Sequence, residues 1–272
     1  MVLDSVSVRG DRLVTIQATM HRFVLAELNT HRAFSRNSAS SRAVPIRRVI
    51  DGVRADPALP IEWGRNRSGM QATERIDDHQ ADLARSVWLD AMESAVRAAE
   101  QLAELGVHKQ VVNRLLEPFS WHDVVITTTM PGLENFLRLR SSRFSSLAQP
   151  EIAALADAIA DAVESSTPTP VPDGEWHLPF IQPDEDLDDD DARAVSAARC
   201  ARISYGTRDD PTDVEADLAR FWRLVSAKPP HSSPMEHVAT PVDRPVPGNL
   251  VGWLQLRHVF EAVTPAAYRR SE

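Results

Sequence analysis

The chain has 272 residues, one cysteine, 43% hydrophobic and 25% charged residues, and 30 Lys and Arg against 39 Asp and Glu. This is ordinary globular composition with enough chain to bury a core, which excludes a small stapled scaffold, a disordered segment and a coiled coil. Cys200 alone allows no internal disulfide, no window approaches 18 uncharged apolar residues, and seven of the negative charges sit in one run, DEDLDDDD from Asp184 to Asp191, so the reading is a soluble cytoplasmic protein without a membrane span or the broad basic face that duplex binding needs.

Residues 12 to 19 (RLVTIQAT) alternate apolar and polar as a half-buried strand does, and Arg22 to Leu28 has helical spacing. The polar stretch Asn29 to Ser41 reads as a loop, because Ser and Asn side chains compete for backbone hydrogen bonds. A Pro-, Gly- and Arg-rich linker from Pro57 to Gly69 leads to a long helix predicted over Gln71 to Leu105, with Gly106 as its C-terminal cap. Val107 to Leu116 reads as a further helix ended by Pro118, and Val124 to Thr129 (VVITTT) as a β-branched strand. Helix is predicted over Leu133 to Leu139, loop over Ser141 to Ser146, and an amphipathic helix with Pro at its start over Pro150 to Val163. Pro168 to Asp191 reads as a surface connector. Helical spacing resumes over Ala192 to Arg199 and Val214 to Ser226, with a strand-and-turn piece, CARISYGTRDDPT, between them. These elements amount to a mixed α/β fold over 1–272, a mixed sheet with long helices.

From Thr30 to Ile50 there are five arginines, Arg32, Arg36, Arg42, Arg47 and Arg48, and no acid. Within that stretch His31 to Arg42 (HRAFSRNSASSR) combines guanidinium forks, hydroxyls and an amide, a set suited to a phosphorylated small molecule or, equally, to a solvated basic surface. His108, His122, His177 and His231 are not paired at ligand spacing, so no metal site is expected. Cys200 lies in an apolar, strand-like segment and reads as a small buried side chain. The scattered Trp residues read as packing.

The spacing of HRAFSRNSASSR resembles the signature RHRxxSxNExSxR of flavin-dependent thymidylate synthases, with His31, Arg32, Ser35, Asn37, Ser40 and Arg42 in register. Three further blocks carry the resemblance over most of the chain: GVHKQVVNRLLEPF (106–119), ENFLRLR followed by AQPEI (134–152), and ARCARISY with HSSPMEH (198–205 and 231–237). The last of these precedes the arginine signature in the better-known members and follows it here. A second signature-like piece, GWLQLRH (252–258), reads as a remnant of rearrangement, with Arg257 and His258 contributing to the site as the other possibility.

The resemblance implies a homotetramer with active sites at subunit junctions. It implies C5-methylation of dUMP or a related pyrimidine deoxynucleotide, with methylenetetrahydrofolate as carbon donor, FAD as hydride carrier and NADPH as reductant. His31 and Arg32 would lie against the flavin, joined by Asn135, His231 and Ser233. Ser40, Ser41 and Arg42 would hold the nucleotide phosphate, and Arg114 would reach it from another subunit. Arg140 would face the pyrimidine and stabilise negative charge on the ring. Anchoring on ENFL selects Arg140; anchoring on AQPEI selects Arg143. The chain departs from the family pattern at Thr30, Ser38, Ala43, Pro131 and Leu147. Those losses of charge leave open a related C5 modification, such as hydroxymethylation, a cytosine nucleotide as substrate, or a noncatalytic nucleotide- or flavin-binding homologue.

Overall fold

The structure is a computed structural model that describes residues 1–206 and 212–263. Strand β1 (Leu3–Ser7) turns back into β2 (Arg12–His21), whose alternation buries residues on both faces. A short turn of 3-10 helix leads into α1 (Leu25–Asn29), and strand β3 (Ser35–Ser38) follows inside the stretch read as loop. Helix α2 (Ile46–Ala55) has no counterpart in the sequence reading; only Ile50 and Val53 are buried in it, so its arginine-rich face hides the apolar stripe. The long helix α3 spans Asp78–Glu104 and starts later than predicted, because the Asp77 side chain caps it by accepting from Gln80 N at 2.8 Å. Gly106 adopts φ +78° just past its end, the left-handed turn glycine permits.

Helix α4 (Lys109–Val112) tightens into a 3-10 segment, Asn113–Phe119, that contains Pro118 rather than stopping before it. Strand β4 (Trp121–Thr129) pairs antiparallel with β2 over its whole length. Helices α5 (Met130–Arg140) and α6 (Pro150–Glu164) follow as predicted, each with Pro in its first turn. The connector carries more structure than expected: β5 (Thr169–Val171) pairs parallel to β1, and the acidic run ends as the first turn of α7 (Asp189–Arg202), where three Asp side chains complement the helix dipole. The piece after Cys200 is not a strand: α7 continues through Arg202 into a 3-10 turn over Ile203–Tyr205, and its remainder lies largely outside the described residues. Helix α8 (Val214–Ser226), a 3-10 turn over Ser233–Glu236, a two-stranded ribbon of β6 (Ala239–Pro241) and β7 (Trp253–Gln255), and α9 (Leu256–Val263) close the chain.

Among the described residues, five strands form one sheet in the order β3-β4-β2-β1-β5. Val14, Ile16 and Met20 of β2 and Val124 and Ile126 of β4 point to one face, where Leu133 and Phe136 of α5 and Ile152, Leu155 and Ile159 of α6 cover them. Burying each such side chain contributes roughly 1.5–3 kcal/mol. A second apolar cluster joins α2, α3 and the 3-10 segment through Val53, Val96 and Leu116. The opposite face of the sheet is polar at its centre. Thr15 and Thr127 face each other across β2 and β4 at 2.6 Å; His177 bridges Thr15 (2.8 Å) to Ser5 (2.7 Å), and His237 bonds Thr127 at 2.8 Å. All five side chains are buried, so the C-terminal layer is stitched to the sheet by a buried hydroxyl–imidazole seam, flanked by an apolar contact of Leu13, Val171 and Trp253.

Candidate active site

The arginine-rich segment is built around the short α1. Arg36 donates to the carbonyls of Leu28 (2.9 Å) and His31 (3.0 Å), so its half-buried guanidinium closes the turn that α1 leaves open rather than facing an anion. The turn lies against α5 because Gly132 lacks a side chain: a Cβ there would stand 2.6 Å from Thr128 Oγ1 and 2.9 Å from Ala33 Cβ. His31 is thereby 8% exposed, with its ring edge-on to Phe136 at 4.8 Å. Arg140, the last residue of α5, donates from Nε to His31 Nε2 at 3.1 Å. Burial, followed by the positive charges of Arg140 and Arg36, pulls the His31 imidazole down to about 4. It is neutral near pH 7, with its proton on Nδ1, because Nε2 accepts.

The two rival arginines separate in space. Arg140 lines a cavity of about 710 Å³ shared with Glu27, Gln71, Ser142, Leu147 and Gln149. Arg143 turns onto α6, where it pairs with Asp161 and with Glu164 at 2.8 Å. The serine loop between them is fixed by Asp157, which accepts from Ser141 Oγ (2.5 Å), Ser142 N (3.0 Å) and Ser142 Oγ (2.5 Å).

Beyond β3 the chain turns through Ser40, Ser41 and Arg42. Backbone bonds from Ala39 N to Asp123 O (2.9 Å) and from Ser40 N to Ser204 O (3.1 Å) hold the turn against β4 and the end of α7. Ser40 and Ser41 line a second cavity of about 420 Å³, together with Arg22, Arg48, Trp121 and His122. The Arg42 side chain is exposed. Arg114 points away, more than half exposed and paired with Glu117 at 3.1 Å. Its neighbour Asn113 turns inward, donating to Ser41 O (2.8 Å) and Val44 O (3.0 Å), while Lys109 Nζ donates to Ala43 O (2.7 Å). Neither Asn113 nor Lys109 was a candidate from sequence. The signal lay in the block GVHKQVVNRLLEPF, where adjacent positions on a helical turn face different ways.

The rearranged C-terminal blocks arrive at the same strand. The turn over Ser233–Glu236 packs on β3, and Gln255 Nε2 donates both to Ser35 Oγ and to Glu236 O at 2.9 Å. Arg257 pairs with Glu236 and, at 2.7 Å, with Glu261, so its guanidinium is occupied within the C-terminal layer. Cys200 lies in α7 with no exposure, and burial pushes its thiol well up, which suits packing rather than nucleophilic chemistry. Arg32, Asn135, His231 and Ser233 are solvent-facing, and Asn135 Oδ1 accepts from Arg138 at 3.1 Å. A guanidinium, an amide, an imidazole and a hydroxyl are each donors of the kind a pyrophosphate or a carbonyl-bearing flavin ring accepts from. No helix among the described residues is long and apolar enough to cross a membrane.

This chain is a mixed α/β protein of the thymidylate synthase complementing protein family, whose model matches residues 12–169. The matched segment holds the arginine turn, the 106–119 block and α5 through α6; HSSPMEH lies beyond it. No curated protein matches the chain by sequence. Among solved structures, the UMP/dUMP methylase PolB from Streptomyces cacaoi bound with 5-Br dUMP is 19% identical over 56% of this chain and 65% of its own, with a TM-score of 0.43. The same methylase bound with 5-Br UMP gives 21% identity over 56% and 67%, with a TM-score of 0.46. The chain thus covers slightly less than two thirds of the first of these relatives.

Proposed function

We propose that this protein modifies C5 of a pyrimidine deoxynucleotide, and that the reaction is reductive methylation of dUMP to dTMP with methylenetetrahydrofolate as carbon donor, FAD as hydride carrier and NADPH as reductant. The observation that carries this reading is the Arg140 guanidinium, secured by a neutral imidazole beside a cavity of nucleotide size, inside the segment that matches the family. A cation at the edge of a uracil ring stabilises the negative charge that develops as C5 becomes nucleophilic, so no side-chain nucleophile is needed. Ser40 and Ser41 line the second cavity and not the one that Arg140 lines, so with Arg42 they would hold the phosphate of a nucleotide whose ring meets Arg140 of a neighbouring subunit in a homotetramer, and Arg114 is exposed where it could reach across that junction. Arg32, Asn135, His231 and Ser233 would hold FAD, which supplies hydride transfer when bound.

The test is product mass. Protein supplied with FAD, NADPH, dUMP and methylenetetrahydrofolate carrying a labelled methylene carbon should yield a nucleotide heavier than dUMP by one labelled CH2. Addition of CH2O instead would assign hydroxymethylation, and labelled product from dCMP but not dUMP would move the substrate to cytosine. Absence of labelled nucleotide from either base overturns the reading.

A further inference from the structure

Arg140 sits at the last position of its helix, on a side chain that carries about 2 kcal/mol of rotamer entropy when unrestrained. A guanidinium that stabilises charge on a ring is useful only if it is already in place, because a displacement near 1 Å costs on the order of 100-fold in rate. A carboxylate partner would hold it but would also neutralise much of its field. The partner here is instead an uncharged acceptor, His31 Nε2, at 3.1 Å.

We propose that His31 is the positioning residue of Arg140: the imidazole fixes the guanidinium through Nε without pairing it to a carboxylate, and leaves the four other N–H donors for the cavity Arg140 lines. This rests on the reading above, in which Arg140 acts on the pyrimidine. It also differs from the role the resemblance gives His31, which is contact with flavin.

Everything around the ring serves to keep it still and uncharged. Phe136 meets it edge-on at 4.8 Å and Phe34 lies at 5.8 Å, and the two phenylalanines are themselves in contact at 5.1 Å, so the ring packs against an aromatic pair. Arg36 holds the His31 carbonyl at 3.0 Å, which fixes the backbone from which the ring projects. Arg36 and Arg140 are also the two charges that act on the ring, and both oppose its protonation, so the acceptor lone pair on Nε2 persists through the neutral range. Gly132 admits the whole turn to the α5 surface, without which ring and guanidinium would not meet.

The test compares His31→Ala with His31→Gln, since a Gln side-chain oxygen reaches about where Nε2 stands and can accept from Arg140. His31→Ala should lose about 100-fold in kcat with KM for dUMP and FAD content near wild type, and His31→Gln should recover most of it. Nitrogen-resolved NMR of the wild-type imidazole should show Nδ1 protonated and Nε2 unprotonated near neutrality, and Arg140→Ala should raise the His31 titration midpoint. Full kcat in His31→Ala, equal loss of FAD in both His31 variants, or a wild-type His31 titrating at its ordinary value would overturn the proposal while leaving the functional reading intact. A wild type that turns over no pyrimidine nucleotide would overturn that reading, and the proposal with it.

Discussion

The seam across the sheet ties stability to pH in a way that can be worked out. His177 is fully buried between the hydroxyls of Ser5 and Thr15 and His237 is fully buried against that of Thr127, and both are held down to about 3, His177 by burial and then by His237 against a weaker opposing pull from Asp4, His237 by burial. A folded value below the unfolded one means that the unfolded chain binds the extra protons. Stability from these groups is therefore complete above about pH 6.5 and is lost progressively as pH falls from there toward 3. At about pH 5 each seam histidine costs on the order of 2 kcal/mol, so the pair removes about 4 kcal/mol, a large part of the 5–15 kcal/mol that typically holds a domain folded. Urea unfolding followed by Trp fluorescence at about pH 7.5 and about pH 5, at one ionic strength, reads the seam together with His31 and His122, which burial also holds down, so the seam's share is the part that a seam variant removes. His237→Gln should be less stable than wild type near pH 7.5 and should lose about half of the seam's pH dependence. Equal unfolding free energies at the two pH values in the wild type would refute the claim that the imidazoles are buried neutral.

Three further outcomes follow from the packing and the site. Asp217 is 1% exposed and accepts from Arg199 Nε at 2.9 Å, while Arg199 also reaches Glu185 and Phe180 O; Asp217→Asn should cost about 3–5 kcal/mol, seen as a fall of roughly 10 °C in Tm by calorimetry, and a fall under about 2 °C would mean the cluster is not buried as described. Gly132→Ala should destabilise by about 1–3 kcal/mol and lower turnover as well, because the new methyl would displace the turn carrying His31; a stable, fully active variant contradicts the close approach. Arg140→Ala should lose at least about 100-fold in kcat, whereas Arg143→Ala, which breaks only solvent-facing pairs with Asp161 and Glu164, should stay within about twofold in a turnover assay, and the reverse ordering would make Arg143 the arginine at the ring.

The elements that the sequence made legible are those whose apolar positions face one core. β2 and β4 alternate or run apolar against α5 and α6, and the amphipathic period of α6 and α8 places their buried residues on one stripe. β3 was hidden because SRNS is a strand sustained by polar partners: Ser35 meets Gln255 and Asn249, and Asn37 donates to Cys200 O at 3.4 Å. None of those partners is near it in the chain. The apolar run around Cys200 looked strand-like because alanine-rich helix and buried strand share short hydrophobic windows, and only the neighbouring α8 decides between them. The structure within the connector is illegible for a related reason, since His177 is buried by contacts with Ser5, Thr15 and Ala239 that no local pattern announces. At the site, spacing sufficed to gather His31, Ser40 and Ser41 in one segment, but it could not separate Arg140 from Arg143 or Asn113 from Arg114, because those choices depend on which side of a helix end meets the rest of the molecule.

The central claim, a flavin chemistry directed at dUMP, is tested most directly by the visible spectrum of the purified protein reconstituted with FAD and titrated anaerobically with dUMP. The account predicts a bound flavin whose absorbance between about 350 and 500 nm shifts and saturates as dUMP is added, and whose dUMP response weakens in Arg42→Ala. A protein that takes up no FAD, or whose bound flavin ignores dUMP at every concentration, would contradict it.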